Sequence, residues 1–136
     1  MTRVFVDTSA FFAHLVAEDA HHARARALFE RADREVWTLI TTNAVVWETY
    51  TLIRVRAKNG RELSLGFLDD IQDGLCDIER ISPLDETRAS DLLRRYVDKR
   101  YSFCDALSFV VMEQLGVADV LAFDDDFRTY GKFVVY

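Results

Sequence analysis

The amino-acid sequence predicts an α/β fold, with a mostly parallel central sheet of about five short strands flanked by helices. Short runs rich in β-branched and aromatic residues alternate with longer stretches of helical period, the pattern of strand–helix–strand units around a parallel sheet. The chain has 136 residues, 50% of them hydrophobic and 12% aromatic. That is the size and composition of a single domain, residues 1–136, with a real core. No repeat, linker or low-complexity segment divides it.

In chain order, "RVFVD" reads as a short buried strand ending at Asp7. A helix follows from Ser9 to Val16, and "AHHARARALFERA" forms a second, with Ala25, Leu28, Phe29 and Ala32 on one face. "EVWTLITT" is a β-branched second strand. Asn43 is a good N-cap for a helix from Ala44 to about Lys58, which stops at Asn59-Gly60. Another helix covers Leu63 to Asp73. "CDIERI" alternates as a third strand, broken by Ser82-Pro83, and "DETRASDLLRRYVDKR" is an amphipathic helix. An apolar helix starts at Ser102 and ends at Leu115, where Gly116 terminates it. "DVLAF" and "KFVVY" are the fourth and fifth strands. In such sheets ligands bind outside the carboxyl ends of the strands.

Composition narrows the function classes. No apolar stretch approaches the roughly 20 residues of a membrane span. Asp7 falls where a signal peptide needs its apolar run, so a cytoplasmic location is expected. Cys76 and Cys104 form no CxxC pair, and His14, His21 and His22 show no zinc-ligand spacing. A net charge of −6 argues against a general nucleic-acid binder. Carboxylates neutralised by divalent ions nevertheless become locally positive and can hold a phosphate.

Four acids stand out. Asp7 closes the first strand, where it either faces the ligand edge or caps the following helix. Glu48 falls on a helical sector with Ala44, Leu52 and Val55, where it either faces the core, at a cost unless a cation or hydrogen bonds compensate it, or sits on a rim of a helix that is apolar on more than one side. Asp105 opens the most hydrophobic helix, and Ser102-x-x-Asp105 also fits a capping box. Asp124 is the first residue beyond "DVLAF", level with Asp7. In the run Asp124-Asp125-Asp126, Asp124 is nearest the edge, Asp125 points to water, and Asp126 faces the pocket or caps the turn. Oxygen-only donors suit hard cations, Mg²⁺ or Mn²⁺, that complete their shell with water and substrate phosphate.

At "VDTSAF", Glu48, "SFCDALSF" and "LAFDDDF" the order and spacing resemble the PIN domain, most closely the toxin ribonucleases of VapBC toxin–antitoxin pairs. The likeness runs from Arg3 to about Val135, and "DALSFVVM" is its most specific part. The family's acidic quartet maps onto Asp7, Glu48, Asp105 and Asp124, with Asp126 as a further possible metal ligand. The hydroxyl position after the first acid is met by Thr8 and Ser9, and Ser102 supports the third acid. Cys104 departs from the threonine or serine of many relatives, and Asp126 stands where others carry histidine or another polar residue.

The resemblance implies a Mg²⁺- or Mn²⁺-dependent endoribonuclease acting on single-stranded RNA through metal-activated water. It also implies a homodimer, held inactive by a protein antitoxin whose tail covers the site. Arg54, Arg56, Lys58 and Arg61, with Arg94, Arg95, Lys99 and Arg100, are candidates for phosphate contact or solvated helix faces. Two other readings stay open. A receiver-like phosphoacceptor module would need paired acids at the first strand and an aspartate at a third. A catalytically inactive PIN-like scaffold would keep the fold and only bind a partner.

Overall fold

The computed structural model describes residues 2–136. Strand β1 (Arg3–Val6) is followed by helices α1 (Thr8–Leu15) and α2 (His22–Arg34), then β2 (Thr38–Thr42), α3 (Asn43–Arg56) and α4 (Gly60–Gln72). Strand β3 (Asp77–Glu79), helices α5 (Pro83–Arg95) and α6 (Phe103–Leu115), β4 (Asp119–Leu121), α7 (Asp126–Tyr130) and β5 (Val134–Val135) complete the chain. The five strands form one sheet in the order β3-β2-β1-β4-β5, and every pairing is parallel.

Strand β1 lies at the centre, and Val4, Phe5 and Val6 are fully buried, as expected where helices cover both faces of a parallel sheet. From β1 the chain builds outward in one direction through β2 and β3, then returns on the other side as β4 and β5. The order reverses between β1 and β4, the place at which sheets of this kind bind ligands outside the carboxyl ends of the strands. Asp7 and Asp124 follow those two strands. This order differs from the 2-1-3-4-5 order of receiver-type folds, and β3 is an edge strand ending in Glu79, so the receiver reading is set aside.

The structure corrects several boundaries. Thr42, not Asn43, caps α3: the Thr42 hydroxyl accepts the Val45 N–H at 3.1 Å. Asn43 instead accepts the Ile81 N–H at 2.9 Å and ties α3 to the segment after β3. Helix α4 starts at Gly60, three residues before the expected Leu63. A Cβ at Gly60 would come within 2.5 Å of the Arg54 carbonyl, so only glycine allows the tight α3–α4 corner. Helix α5 ends at Arg95 instead of Arg100, because Tyr96 leaves the helix to pack against Tyr101 and Tyr130. Strand β2 begins only at Thr38, since Val36 takes a left-handed turn with φ of 55°. Helix α7 lies where only a turn was expected.

Candidate active site

Asp7 is 2% exposed at the end of β1, and its backbone N–H bonds the Leu121 carbonyl of β4 at 3.0 Å. Its Oδ2 accepts the Ser9 N–H at 3.2 Å and the Ser9 hydroxyl at 2.7 Å, which caps α1. Ser9 Oγ in turn accepts the Phe123 N–H at 2.9 Å, fixing the ends of β1 and β4 together. Burial, then the nearby Asp124, raises the Asp7 carboxyl well above its ordinary range, and the Ser9 hydroxyl only partly opposes this.

Asp105 is 8% exposed in the first turn of α6. It forms a full capping box with Ser102: the Ser102 N–H donates to Asp105 Oδ2 at 2.9 Å, and the Asp105 N–H donates to Ser102 Oγ at 3.0 Å. Even so, its carboxyl is pushed up to about 7, by burial first and then, against the pull of the Ser102 amide, by Asp126 and Asp124.

The three consecutive aspartates separate. Asp124 opens to solvent on one side, yet the protein packed behind it and the charge of Asp126 raise its carboxyl. It accepts a hydrogen bond from the Asp7 carboxyl, and its Oδ1 accepts the Asp126 N–H at 3.3 Å. Asp126, half-buried at the start of α7, bonds Asp105. Asp125 is exposed and makes no side-chain cap bond. Asp7 thus lies against Asp124, and Asp105 against Asp126.

Of the two placements open to Glu48, the structure shows the rim. Ala44 packs against the core, but towards the end of the sector Val55 is 76% exposed, and neighbouring Trp47 63%. The apolar residues form an outward face of α3, and Glu48 is half-buried on a rim between two cavities. From there it still reaches the acids, because its charge bears on Asp124. The Cys104 thiol hydrogen-bonds it. Burial, then Glu48, raises that thiol far above its ordinary value, so Cys104 is a weak donor to the acid and not a nucleophile.

Thr8 is buried, and its Oγ1 has no hydrogen-bond partner among the described residues. The candidate phosphate contacts, Arg54, Arg56, Lys58, Arg61, Arg94, Arg95, Lys99 and Arg100, are all exposed. Arg56 lines a cavity together with Glu48. Arg94 is engaged by Ser90 and Asp91. Arg95 faces a groove between α5 and α6 that none of the four acids lines. Sequence reasoning missed the Asp105–Asp126 pairing and the stacking of His21 on Phe123, at 5.0 Å between ring centroids. An N-terminal Asp126 on an unrecognised helix was the one available signal for the first.

No lysine, arginine or histidine among the described residues forms an ion pair with Asp7, Glu48, Asp105 or Asp124. Nor are any three acidic, histidine or cysteine side chains among them already drawn into a metal-holding cluster. Crowded carboxyls that keep protons for want of a counter-charge fit a site for a hard divalent cation, which would displace those protons and draw the pairs together.

Comparison with known proteins identifies a family for the fold. The family described as PIN domain matches residues 4–132. The Mycobacterium tuberculosis protein named 23S rRNA-specific endonuclease VapC20 is 34% identical over 128 residues, covering 94% of each chain. The VapC ribonuclease of Archaeoglobus fulgidus is 28% identical over 124 residues, covering 90% of this chain and 77% of its own. The crystal structure of M. tuberculosis VapC20, described as a sarcin-ricin loop cleaving toxin, superposes with a TM-score of 0.87 at 33% identity, covering 96% of each chain.

Proposed function

This chain belongs to the PIN-domain family, and we propose that it is a divalent-metal-dependent endoribonuclease, the toxin of a toxin–antitoxin pair. The observation that carries the reading is the set of crowded carboxyls at the β1–β4 reversal with no internal counter-charge.

Asp7, Glu48, Asp105 and Asp124 would hold Mg²⁺ or Mn²⁺, with Asp126 joining through Asp105. A bound ion supplies Lewis-acid polarisation of a phosphoryl oxygen and makes water nucleophilic near neutral pH. The chain's own residues prepare the carboxylates. Ser9 fixes the rotamer of Asp7 and locks it to β4. Ser102 orients Asp105 against the positive end of α6. The Cys104 thiol holds Glu48 at the rim. No serine, histidine or cysteine nucleophile is required.

The substrate class is single-stranded RNA, and the names of the M. tuberculosis relative favour an exposed loop of ribosomal RNA. A protein antitoxin would silence the site by placing an arginine or lysine against Asp7, Asp105 and Asp124. A second copy of the chain would cover Leu52 and Val55 on the outer face of α3. No helix among the described residues is long and apolar enough to cross a membrane, and a cytoplasmic location suits the substrate. The test uses purified protein and labelled single-stranded RNA: cleavage is expected with Mn²⁺ and none with EDTA, and equal cleavage in EDTA would refute the metal-dependent reading.

A further inference from the structure

A cavity of about 420 Å³ has Glu48 and Cys104 on its wall. Trp47 and Phe103 stand at its mouth, 63% and 44% exposed, although both are large apolar side chains of a kind usually buried. Leu107 and Ile81 line it further. Trp47 directly precedes Glu48 on α3, and Phe103 opens α6 two residues before Asp105. The two aromatic residues are thus carried by the same two helices that carry two of the four acids.

The cavity also has polar groups at its edge. Asn43 lines it and is 9% exposed. Its Oδ1 is taken by the Ile81 N–H at 2.9 Å, so the group left to offer a ligand is the amide –NH₂. Glu86, exposed on the first turn of α5, adds an acceptor. Aromatic walls, one buried amide donor and one carboxylate acceptor complement a flat heterocycle that carries both acceptors and donors on its edge. A peptide helix would need a longer groove. An aliphatic chain would leave the Asn43 amide unpartnered.

We propose that this cavity, walled by Trp47 and Phe103 and edged by Asn43 and Glu86, is the subsite for the nucleobase adjoining the cleaved phosphodiester. The proposal rests on the ribonuclease reading above and names the part of the RNA that the chain recognises. Trp47 stacks on the base and supplies affinity, while the Asn43 amide reads its edge. Stacking of this kind tolerates any base, and the hydrogen-bonding edge selects among them.

The experiment uses the full chain with its acids intact and Ca²⁺ in place of Mn²⁺, a hard cation that oxygen ligands also hold, and a gel confirms that the RNA stays uncut. Fluorescein-labelled RNA hexamers, one for each base, and an abasic hexamer of equal length are titrated and followed by anisotropy. Trp47→Ala is expected to weaken base-bearing hexamers by about tenfold or more, the worth of one stacked base, and to leave the abasic hexamer unchanged. Trp47→Phe should recover most of the loss, and Asn43→Ala should flatten the preference among the four bases. Unchanged affinity in Trp47→Ala, or an equal loss for the abasic hexamer, overturns the subsite while leaving the ribonuclease reading in place. Unchanged affinity together with a shift in sedimentation would instead give this face to a second copy of the chain. If no hexamer binds even with Trp47 intact, the ribonuclease reading fails and the subsite with it.

Discussion

The Ser9 hydroxyl donates to Asp7 Oδ2 at 2.7 Å while accepting the Phe123 N–H at 2.9 Å, so one side chain joins the ends of β1 and β4 at the candidate site. Ser9→Ala would leave the Phe123 N–H unpaired and free the Asp7 rotamer. The expected cost is roughly 1–3 kcal/mol of stability, as for other buried groups that lose a partner, together with most of the RNA cleavage. Ser9→Thr should retain both. Thermal melts and cleavage assays on the two variants decide the point.

The metal-free protein should lose stability as pH rises. Asp105 titrates near 7 in the folded chain against an ordinary 3.8, and burial with Asp126 and Asp124 nearby is the cause. Between those values the native state binds more protons than the unfolded chain, so raising pH removes stability. The contribution is full below about pH 3.8 and is lost as pH climbs through about 7. Asp7 shifts in the same direction. In EDTA the Tm at pH 8 should lie roughly 5 °C below that at pH 5.5, a shift of the size that about 1–2 kcal/mol produces in a domain of this size. Asp105→Asn should flatten the dependence. A Tm that rises with pH would contradict the crowding.

Glu48→Gln should abolish cleavage, by about a hundredfold or more, as removal of a group acting on the transition state does. Since Glu48 adds like charge to Asp124, the metal-free Tm of the variant should stay level or rise. Full activity would remove Glu48 from the site.

The three aspartates should divide by position. Asp124→Asn and Asp126→Asn are expected to weaken Mn²⁺ binding and cleavage, because Asp124 pairs with Asp7 and Asp126 with Asp105. Asp125→Asn should behave like the parent, since Asp125 is exposed. Mn²⁺ titrations of the three variants test this directly, and a dead Asp125→Asn would show that the turn is assigned wrongly.

Much of this architecture is legible in the sequence because the signals are local. The run "RVFVD" carries its own strand pattern, and Ser102-x-x-Asp105 its own cap. What escaped depends on distant partners. Helix α7 has five residues, too few to form alone, and it exists because Phe127 and Tyr130 bury themselves against Phe109. Asp126 reaches Asp105 only because that helix forms. Asn43 lost the cap of α3 to Thr42 because its side chain was taken by Ile81, 38 residues away. Core and rim both stayed open for Glu48 in the sequence, because helical period identifies an apolar sector but not whether anything covers it. Here the sector with Val55 is left open.

Asp7 and Asp105 hold their protons more tightly than free carboxyls do because they are buried beside Asp124, and a divalent ion can replace those protons. Calorimetric titration of Mn²⁺ into the metal-free chain near pH 6.5, in two buffers of different ionisation heat, tests it most directly. Binding is expected to release on the order of one proton and to disappear in Asp7→Asn and Asp105→Asn. Absence of binding, or binding without proton release that persists in both variants, would contradict it.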